Sequence, residues 1–147
     1  MATTGAGRSG PRGSVVTALH QATHATVQLL AVRLEDLGLS ASEQNVLAAL
    51  ADDRVLSVGE LAAATGSKAS TLTSVLDRLE RRDLLERDVD RTDRRSVLIR
   101  LTAAGQESAA VVRAAISGLE ESALAGVTGP QLAGFFAVTL ALTRAVR

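Results

Sequence analysis

The sequence contains no cysteine, no tryptophan and no tyrosine, and phenylalanine occurs only twice in 147 residues. The lack of cysteine excludes disulfide bonds, thiolate metal sites and a cysteine-based redox switch. Because aromatic side chains are so scarce, alanine, leucine and valine must supply nearly all of the packing, and this composition favours helices. The length is that of about one domain, so we expect one compact unit that a partner chain could complete.

Long apolar runs are also absent. No stretch of about 18 consecutive apolar residues occurs, which predicts that no segment spans a membrane. Residues 1–13 are rich in glycine, serine and threonine and contain no apolar segment. We interpret them as a disordered N-terminal arm and not as a signal peptide, and we expect a cytoplasmic protein.

The formal net charge is zero, which by itself argues mildly against a nucleic-acid partner. The basic residues are nevertheless concentrated in one segment. Residues 68–100 hold the only lysine, Lys68, and eight of the arginines, against seven acidic residues. Any affinity for nucleic acid must therefore come from how the arginines are presented and not from a broad positive field.

Helix signals follow one another along the first half of the chain. Residues 14–38 are predicted to form an N-terminal helix, because apolar side chains recur at steps of three and four until a terminal glycine. Ser40 with Glu43, and Ser57 with Glu60, have the spacing of a capping box, so each pair opens a short helix. A third helix is expected from about Lys68 to Arg82 after a glycine turn. Two short helices, a turn and a third helix form a helix-turn-helix.

The second half predicts a hairpin followed by two helices. The runs 84–89 and 96–101 have strand character and flank the charged segment 90–95, which is typical of a wing. Thr102 is predicted to cap a long helix that ends near residue 125, and a T-x-x-Q box at Thr128 opens the last helix, whose apolar residues have heptad spacing.

The predicted fold class is therefore mainly α with a small β-hairpin wing. It comprises a winged helix-turn-helix over residues 39–101, flanked by long dimerisation helices in residues 14–38 and 102–147. Both flanking regions carry apolar stripes that the small central unit cannot cover. A second copy of the chain would bury them, so a homodimer is expected.

Six short sequence segments carry a family likeness. They are Leu39–Leu47, Glu60–Ala62, Ser70–Thr73 with Leu76–Glu80, Leu84–Arg87, Asp93–Arg95 and Leu101–Gly105. In this order and spacing they resemble the MarR (multiple antibiotic resistance regulator) family of winged-helix repressors. Two positions depart from the family pattern. Asp83 stands where a glycine usually follows the recognition helix, and Ser74 stands where arginine is common.

The resemblance and the helix position together imply contacts with double-stranded DNA, because the N-terminal part of a recognition helix meets the base edges. The predicted DNA-binding residues on or beside this helix are Ser67, Lys68, Ser70, Thr71, Thr73, Ser74 and Arg78. In the wing they are Arg91, Arg94 and Arg95, with the tip arginines entering the minor groove. The alternatives are hydroxyls that only cap and solvate the helix, and a wing whose charges pair with one another, as Asp93 and Arg95 would.

A small-molecule effector is also implied by the resemblance, at the place where the dimer helices meet the winged domain. In this chain such a pocket would be mostly aliphatic. His20 and His24 lie four apart on the first helix and are candidate ligand-binding residues, the alternative being ordinary packing or solvation. A metal site there is not expected, because no cysteine joins them and Glu35 and Asp36 lie about three turns away.

The sequence does not favour an enzyme, since it contains no glycine-rich phosphate loop, no nucleophile elbow and no dense cluster of histidine and acidic residues. No cofactor is expected. The predicted function is that of a transcriptional regulator, a repressor, which binds a near-palindromic operator as a homodimer and is released by a small molecule. The alternative is a winged-helix module that binds protein without sequence-specific DNA binding.

Overall fold

The computed structural model describes residues 13–89 and 96–145. Within these ranges the chain forms six α-helices and three short strands. They are α1 (Val15–Arg33), α2 (Ala41–Leu50), β1 (Leu56–Ser57), α3 (Val58–Thr65), α4 (Ala69–Arg81), β2 (Leu85–Val89), β3 (Val97–Leu101), α5 (Ala103–Leu124) and α6 (Gly129–Ala145). The prediction of a mainly helical winged helix-turn-helix is confirmed. The predicted arm, residues 1–13, lies outside the described residues except for Gly13.

The capping boxes predicted at Ser40 and Ser57 are present. At Thr128, of the two bonds of the box, only the one from its N–H to the Gln131 side chain forms. The Ser40 hydroxyl accepts from the Glu43 N–H, and the Glu43 carboxylate accepts from the Ser40 N–H at 2.7 Å. Ser57 and Glu60 repeat the arrangement at the start of α3, and Thr102 caps α5 through the Gly105 N–H. These side chains satisfy amides that the first turn of a helix otherwise leaves without acceptors.

The first helix is shorter than the apolar spacing predicts. It ends at Arg33, and a 3-10 turn over Glu35–Leu37 follows, which Gly38 ends with a left-handed backbone (φ +57°). Leu34, between the two, is only 2% exposed and packs into the core. The chain thus bends where one leucine enters the core, and a periodic pattern cannot distinguish this bend from a continuing helix.

The wing belongs to a three-stranded antiparallel sheet in the order β1-β3-β2. Leu85 pairs with Leu101 across the hairpin, and Leu56 of β1 pairs with Ile99 on the other side. Strand β1 was not predicted, because two residues show no alternation and Ser57 also caps the next helix. The sheet packs against α3 and α4, so the hairpin lies beside α4, the third helix of the helix-turn-helix.

Leucine dominates the core. Its fully buried members come from α2, α3, α4, the sheet and the first half of α5, and they include Leu47, Leu50, Leu61, Leu72, Leu76, Leu79, Leu85, Ile99 and Val112. Neither α1 nor α6 contributes a buried residue. Among the described helices none is by itself long and apolar enough to cross a membrane; α5 and α6 would reach that length and hydropathy only together, and they are bent by 119° to one another.

Asp83, which follows α4, adopts a left-handed backbone with φ +56°. Glycine has no Cβ to strain there, so Asp83→Gly is expected to raise the free energy of unfolding by about 0.5–1 kcal/mol, measured by urea denaturation. Asp83→Ala is the control. It keeps the Cβ but removes the carboxylate, which faces the negative end of the helix dipole. An equal gain in both variants would assign the effect to charge and contradict the backbone explanation.

Candidate nucleic-acid interface

The N-terminus of α4 differs from those of α2, α3 and α5. Its N-cap is Lys68, whose backbone is extended and whose side chain makes no capping hydrogen bond. The N–H groups of the first turn of α4 therefore have no side-chain acceptor among the described residues, whereas Ser40, Ser57 and Thr102 serve the other three helices. An uncapped N-terminus combines free N–H donors with the positive end of the helix dipole, and both attract phosphate.

One face of α4 is buried and the other is polar and exposed. The buried face consists of Leu72, Val75, Leu76 and Leu79. The exposed face carries most of the predicted contact residues: Lys68, Ser70, Thr71, Thr73 and Ser74. Ser67, in the turn before the helix, is half-buried. The fold thus places these short polar side chains together on one accessible helix end.

The hydroxyls on this face are not equivalent. Thr73 donates to the Ala69 carbonyl at 3.0 Å, and Ser74 donates to the Thr71 carbonyl at 2.9 Å. The side chains of Ser70 and Thr71 have no hydrogen-bond partner in the part of the chain that the structure describes. Ser70 and Thr71 are therefore the hydroxyls most available to an external acceptor or donor.

Arg78 lies on the third turn of α4 and contacts Glu43 of α2, with 2.9 Å between Nε and the carboxylate. The Glu43 side chain is 7% exposed and that of Arg78 is 43% exposed. Burial of the Glu43 carboxyl opposes its ionisation, but the Ser40 amide and hydroxyl and the Arg78 guanidinium outweigh this, so the pKa of Glu43 lies below its ordinary value. Arg78 is thus oriented by an internal ion pair, and only its remaining N–H groups can serve DNA.

Arg87 on β2 braces the wing against α4. Its guanidinium lies 2.6 Å from the Asp77 carboxylate and 2.7 Å from that of Glu80. Within the wing, Arg100 pairs with Glu86 at 2.6 Å. No role was predicted for Arg87. The only sequence signal for its contacts was the spacing of Asp77 and Glu80, three apart on one helix face. The predicted tip residues Arg91, Arg94 and Arg95, with Asp93, lie outside the described residues.

In the part of the basic segment that the structure describes, residues 68–89 and 96–100, less free charge is present than the composition indicates. Arg78, Arg87 and Arg100 all contact carboxylates. Arg81 instead donates to the Asp77 carbonyl, and Arg82 donates to carbonyls outside its helix. This arrangement agrees with the expectation that affinity for nucleic acid depends more on how the arginines are presented than on the total charge.

Two cavities adjoin the flanking helices. One, of about 270 Å³, lies between α1 and α6 and is lined by apolar side chains such as Leu19 and Phe135. The other, of about 720 Å³, lies between the α3–α4 turn and the end of α6, with Lys68 and Leu142 in its lining. The smaller cavity lies where two long helices approach without close packing, and the larger lies between α6 and the turn that precedes α4.

The two histidines of α1 are exposed. The His24 ring nitrogen Nε2 lies 3.0 Å from the Gln28 side-chain amide, and the α1 residues that line the smaller cavity are others, including Leu19. The described residues contain no group of three or more side chains placed to hold a metal ion. A ligand role for His20 and His24 stays a prediction.

Comparison with known proteins assigns the central unit to a family. The MarR family model matches residues 39–97. No curated protein matches the chain significantly in sequence.

Solved structures extend the likeness to the flanking helices. The chain is similar to MepR of S. aureus, solved in complex with DNA, at 19% identity and a TM-score of 0.78, over 92% of this chain and 100% of that one. It is similar to BpsR of Bordetella bronchiseptica, whose DNA binding is regulated by 6-hydroxynicotinic acid, at 25% identity and 0.71, over 88% and 98%. It is also similar to a mutant MarR of E. coli complexed with operator DNA, at 22% and 0.72, over 87% and 92%.

Proposed function

We propose that this chain is a MarR-family transcriptional regulator, a repressor that binds a near-palindromic operator as a homodimer. The MarR family model matches residues 39–97, which lie within the winged helix-turn-helix. The observation that carries the proposal is the exposed, uncapped N-terminus of α4, with Lys68, Ser70 and Thr71 grouped around it. No catalytic role is proposed for any residue.

In the proposed complex α4 lies in the major groove. Its first-turn N–H groups and Lys68 bind backbone phosphates, which set the position of the helix without reading sequence. The hydroxyls of Ser70 and Thr71 reach base edges, where they can donate or accept. Thr73 and Ser74 present oxygens that already bond to the helix backbone, so they accept more readily than they donate. Arg91, Arg94 and Arg95 remain the proposed contacts of the wing.

Dimerisation is proposed through α1 and α6. Both helices expose apolar side chains along their length; on α6, Phe135 is 53% and Phe136 is 65% exposed. Apolar patches of this kind on a small protein mark an interface. In a dimer with a two-fold axis, the patch of one chain packs against the same patch of the other chain. Such a dimer presents two α4 helices about 34 Å apart, which matches one turn of DNA.

The proposed effector is a small molecule with an apolar body that binds where α6 approaches the α3–α4 turn. BpsR, to which the chain is similar, responds to 6-hydroxynicotinic acid. The larger cavity has Ala62, Leu142 and Lys68 in its lining, so it offers aliphatic surface and one cation. A ligand regulates only if it binds one arrangement of the dimer more tightly than the other. His20 and His24 are kept as further candidates for ligand contact.

The proposal predicts a strong dependence of DNA binding on salt. After selection of an operator from random duplexes, the affinity is expected to fall by at least about tenfold between 50 and 200 mM salt, measured by fluorescence anisotropy. Lys68→Ala should weaken binding and lower the slope of log K against log salt by about 1. Arg54→Ala, in the exposed connection between α2 and β1, is the control that removes a charge outside α4 and outside the proposed dimer helices.

The rival function, a winged-helix module that binds only protein, predicts a different outcome. Selection would then enrich no sequence, and Lys68→Ala and Arg54→Ala would weaken the residual binding to duplexes equally. That result would overturn the proposed function.

A further inference from the structure

Arg82, the C-cap of α4, contacts the connection between α1 and α2. Its Nη1 donates to the Gly38 carbonyl at 2.8 Å and its Nη2 donates to the Leu37 carbonyl at 2.7 Å. One guanidinium therefore joins the end of the proposed recognition helix to the turn that leads out of α1. We propose that Arg82 is a positioning residue that sets the orientation of α4 relative to α1. The inference deepens the proposed function, in which α1 forms part of the dimer interface.

Packing alone fixes this orientation weakly. No residue within α1 is fully buried; Leu34 enters the core just after the helix, and Leu30 and Leu37 pack against the core while partly exposed. Apolar contact is not directional, so these leucines constrain the angle between the helices less tightly than hydrogen bonds do. A planar guanidinium that donates through two N–H groups to two consecutive carbonyls is directional.

The neighbouring ion pair does not supply the same constraint. Arg78, one turn before Arg82, binds Glu43, which lies on α2 within the winged domain. That pair joins α4 to α2 and leaves α1 unconstrained. Among the described residues, the Arg82 bonds are the only side-chain hydrogen bonds from α4 or its caps to the segment between α1 and α2.

Arg81 provides a matched control. It is exposed like Arg82, carries the same charge and lies next to it at the same helix end, but its Nε donates to the Asp77 carbonyl of its own helix at 3.1 Å. Arg82→Lys provides a second comparison. It keeps the positive charge but cannot bridge two carbonyls with a rigid fork.

The absence of cysteine permits a test that does not involve DNA. A chain with both Gln21→Cys on α1 and Thr71→Cys on α4 carries two cysteines, and each can be spin-labelled. When labelled chain is diluted in unlabelled chain, the two labels report the distance between α1 and α4 within one chain. Arg82→Lys is expected to widen the distance distribution by about 1–2 Å, and Arg81→Ala is expected to leave it unchanged. Equal widths in the parent protein and Arg82→Lys would overturn the inference.

Operator spacing gives the functional readout, in chains without labels. The parent protein should prefer the selected operator over one with an extra base pair between the half-sites. Arg82→Ala and Arg82→Lys are expected to reduce that preference on the order of threefold to tenfold, whereas Arg81→Ala weakens binding to both operators equally. A preference that survives Arg82→Lys would contradict the positioning role. If no duplex binds at all, the proposed function fails, and the distance measurement still decides the role of Arg82.

Discussion

Replacing Gly105 by alanine is expected to lower the free energy of unfolding by about 3 kcal/mol, because the added methyl group has no room. A Cβ at this position would lie 1.8 Å from the Leu84 carbonyl oxygen and 3.1 Å from the Leu101 Cβ. The obstacle is backbone, which cannot rotate away as a side chain can. The same Leu84 carbonyl accepts from the Thr102 N–H at 3.2 Å, so a shift that relieves the clash also disturbs the start of α5.

Gly118, in the same helix, is the matched control for this substitution. A Cβ there would meet nothing within 4 Å, so Gly118→Ala is expected to raise the free energy of unfolding by about 0.5–1 kcal/mol through helix propensity alone. Urea denaturation of the two variants measures both effects, and they should have opposite signs. A Gly105→Ala protein as stable as Gly118→Ala would contradict the close approach between α5 and the end of α4.

Replacing Glu43 by glutamine is expected to lower the free energy of unfolding by about 2 kcal/mol at neutral pH, because an almost fully buried carboxylate accepts from Ser40 and pairs with Arg78. Glutamine keeps the shape of the side chain but not its charge. The loss should appear in urea denaturation as a lower midpoint with an unchanged slope.

The contribution of Glu43 also depends on pH, and its direction follows from the lowered pKa of this carboxyl. The folded protein holds the carboxylate ionised at pH values where the unfolded chain begins to bind a proton. The stabilisation is therefore complete above the ordinary value of 4.5 and is lost as the pH falls through the lower pKa of the folded state. Thermal unfolding from pH 7 to acid should show the steeper decline in the parent protein than in Glu43→Gln.

Glu60 is the control for Glu43, since Ser57 likewise lowers its pKa through a capping box, with a smaller contribution from the charge of Arg54. The Glu60 carboxylate is exposed, and among the described residues no arginine forms an ion pair with it. Glu60→Gln should therefore cause a smaller loss of stability than Glu43→Gln. Equal losses would mean that the Arg78 pair contributes nothing beyond the cap.

Local features of the sequence were sufficient to predict much of the fold. The Ser40 and Ser57 boxes predicted two helix starts, and the alternation after Ser96 predicted the strand that became β3. The same local reasoning located the polar face of α4, because Leu72, Leu76 and Leu79 had to lie on the opposite side. These signals depend on residues only a few positions apart, so they can be interpreted without knowing how the rest of the chain folds.

The sequence by itself determined the six helices and the wing hairpin, the caps of α2, α3 and α5, and the exposed hydroxyls of α4, since each depends on neighbours within about two turns. It did not determine β1 or the bend at Leu34. Only the tertiary structure decided that Arg82 meets Leu37 and Gly38, that Arg87 spans two acids of α4, and that Gly105 lies against the Leu84 carbonyl. These contacts join different elements, and some join residues more than forty positions apart. The residues that meet in these contacts are brought together by the packing of the whole core, which a local sequence pattern does not predict.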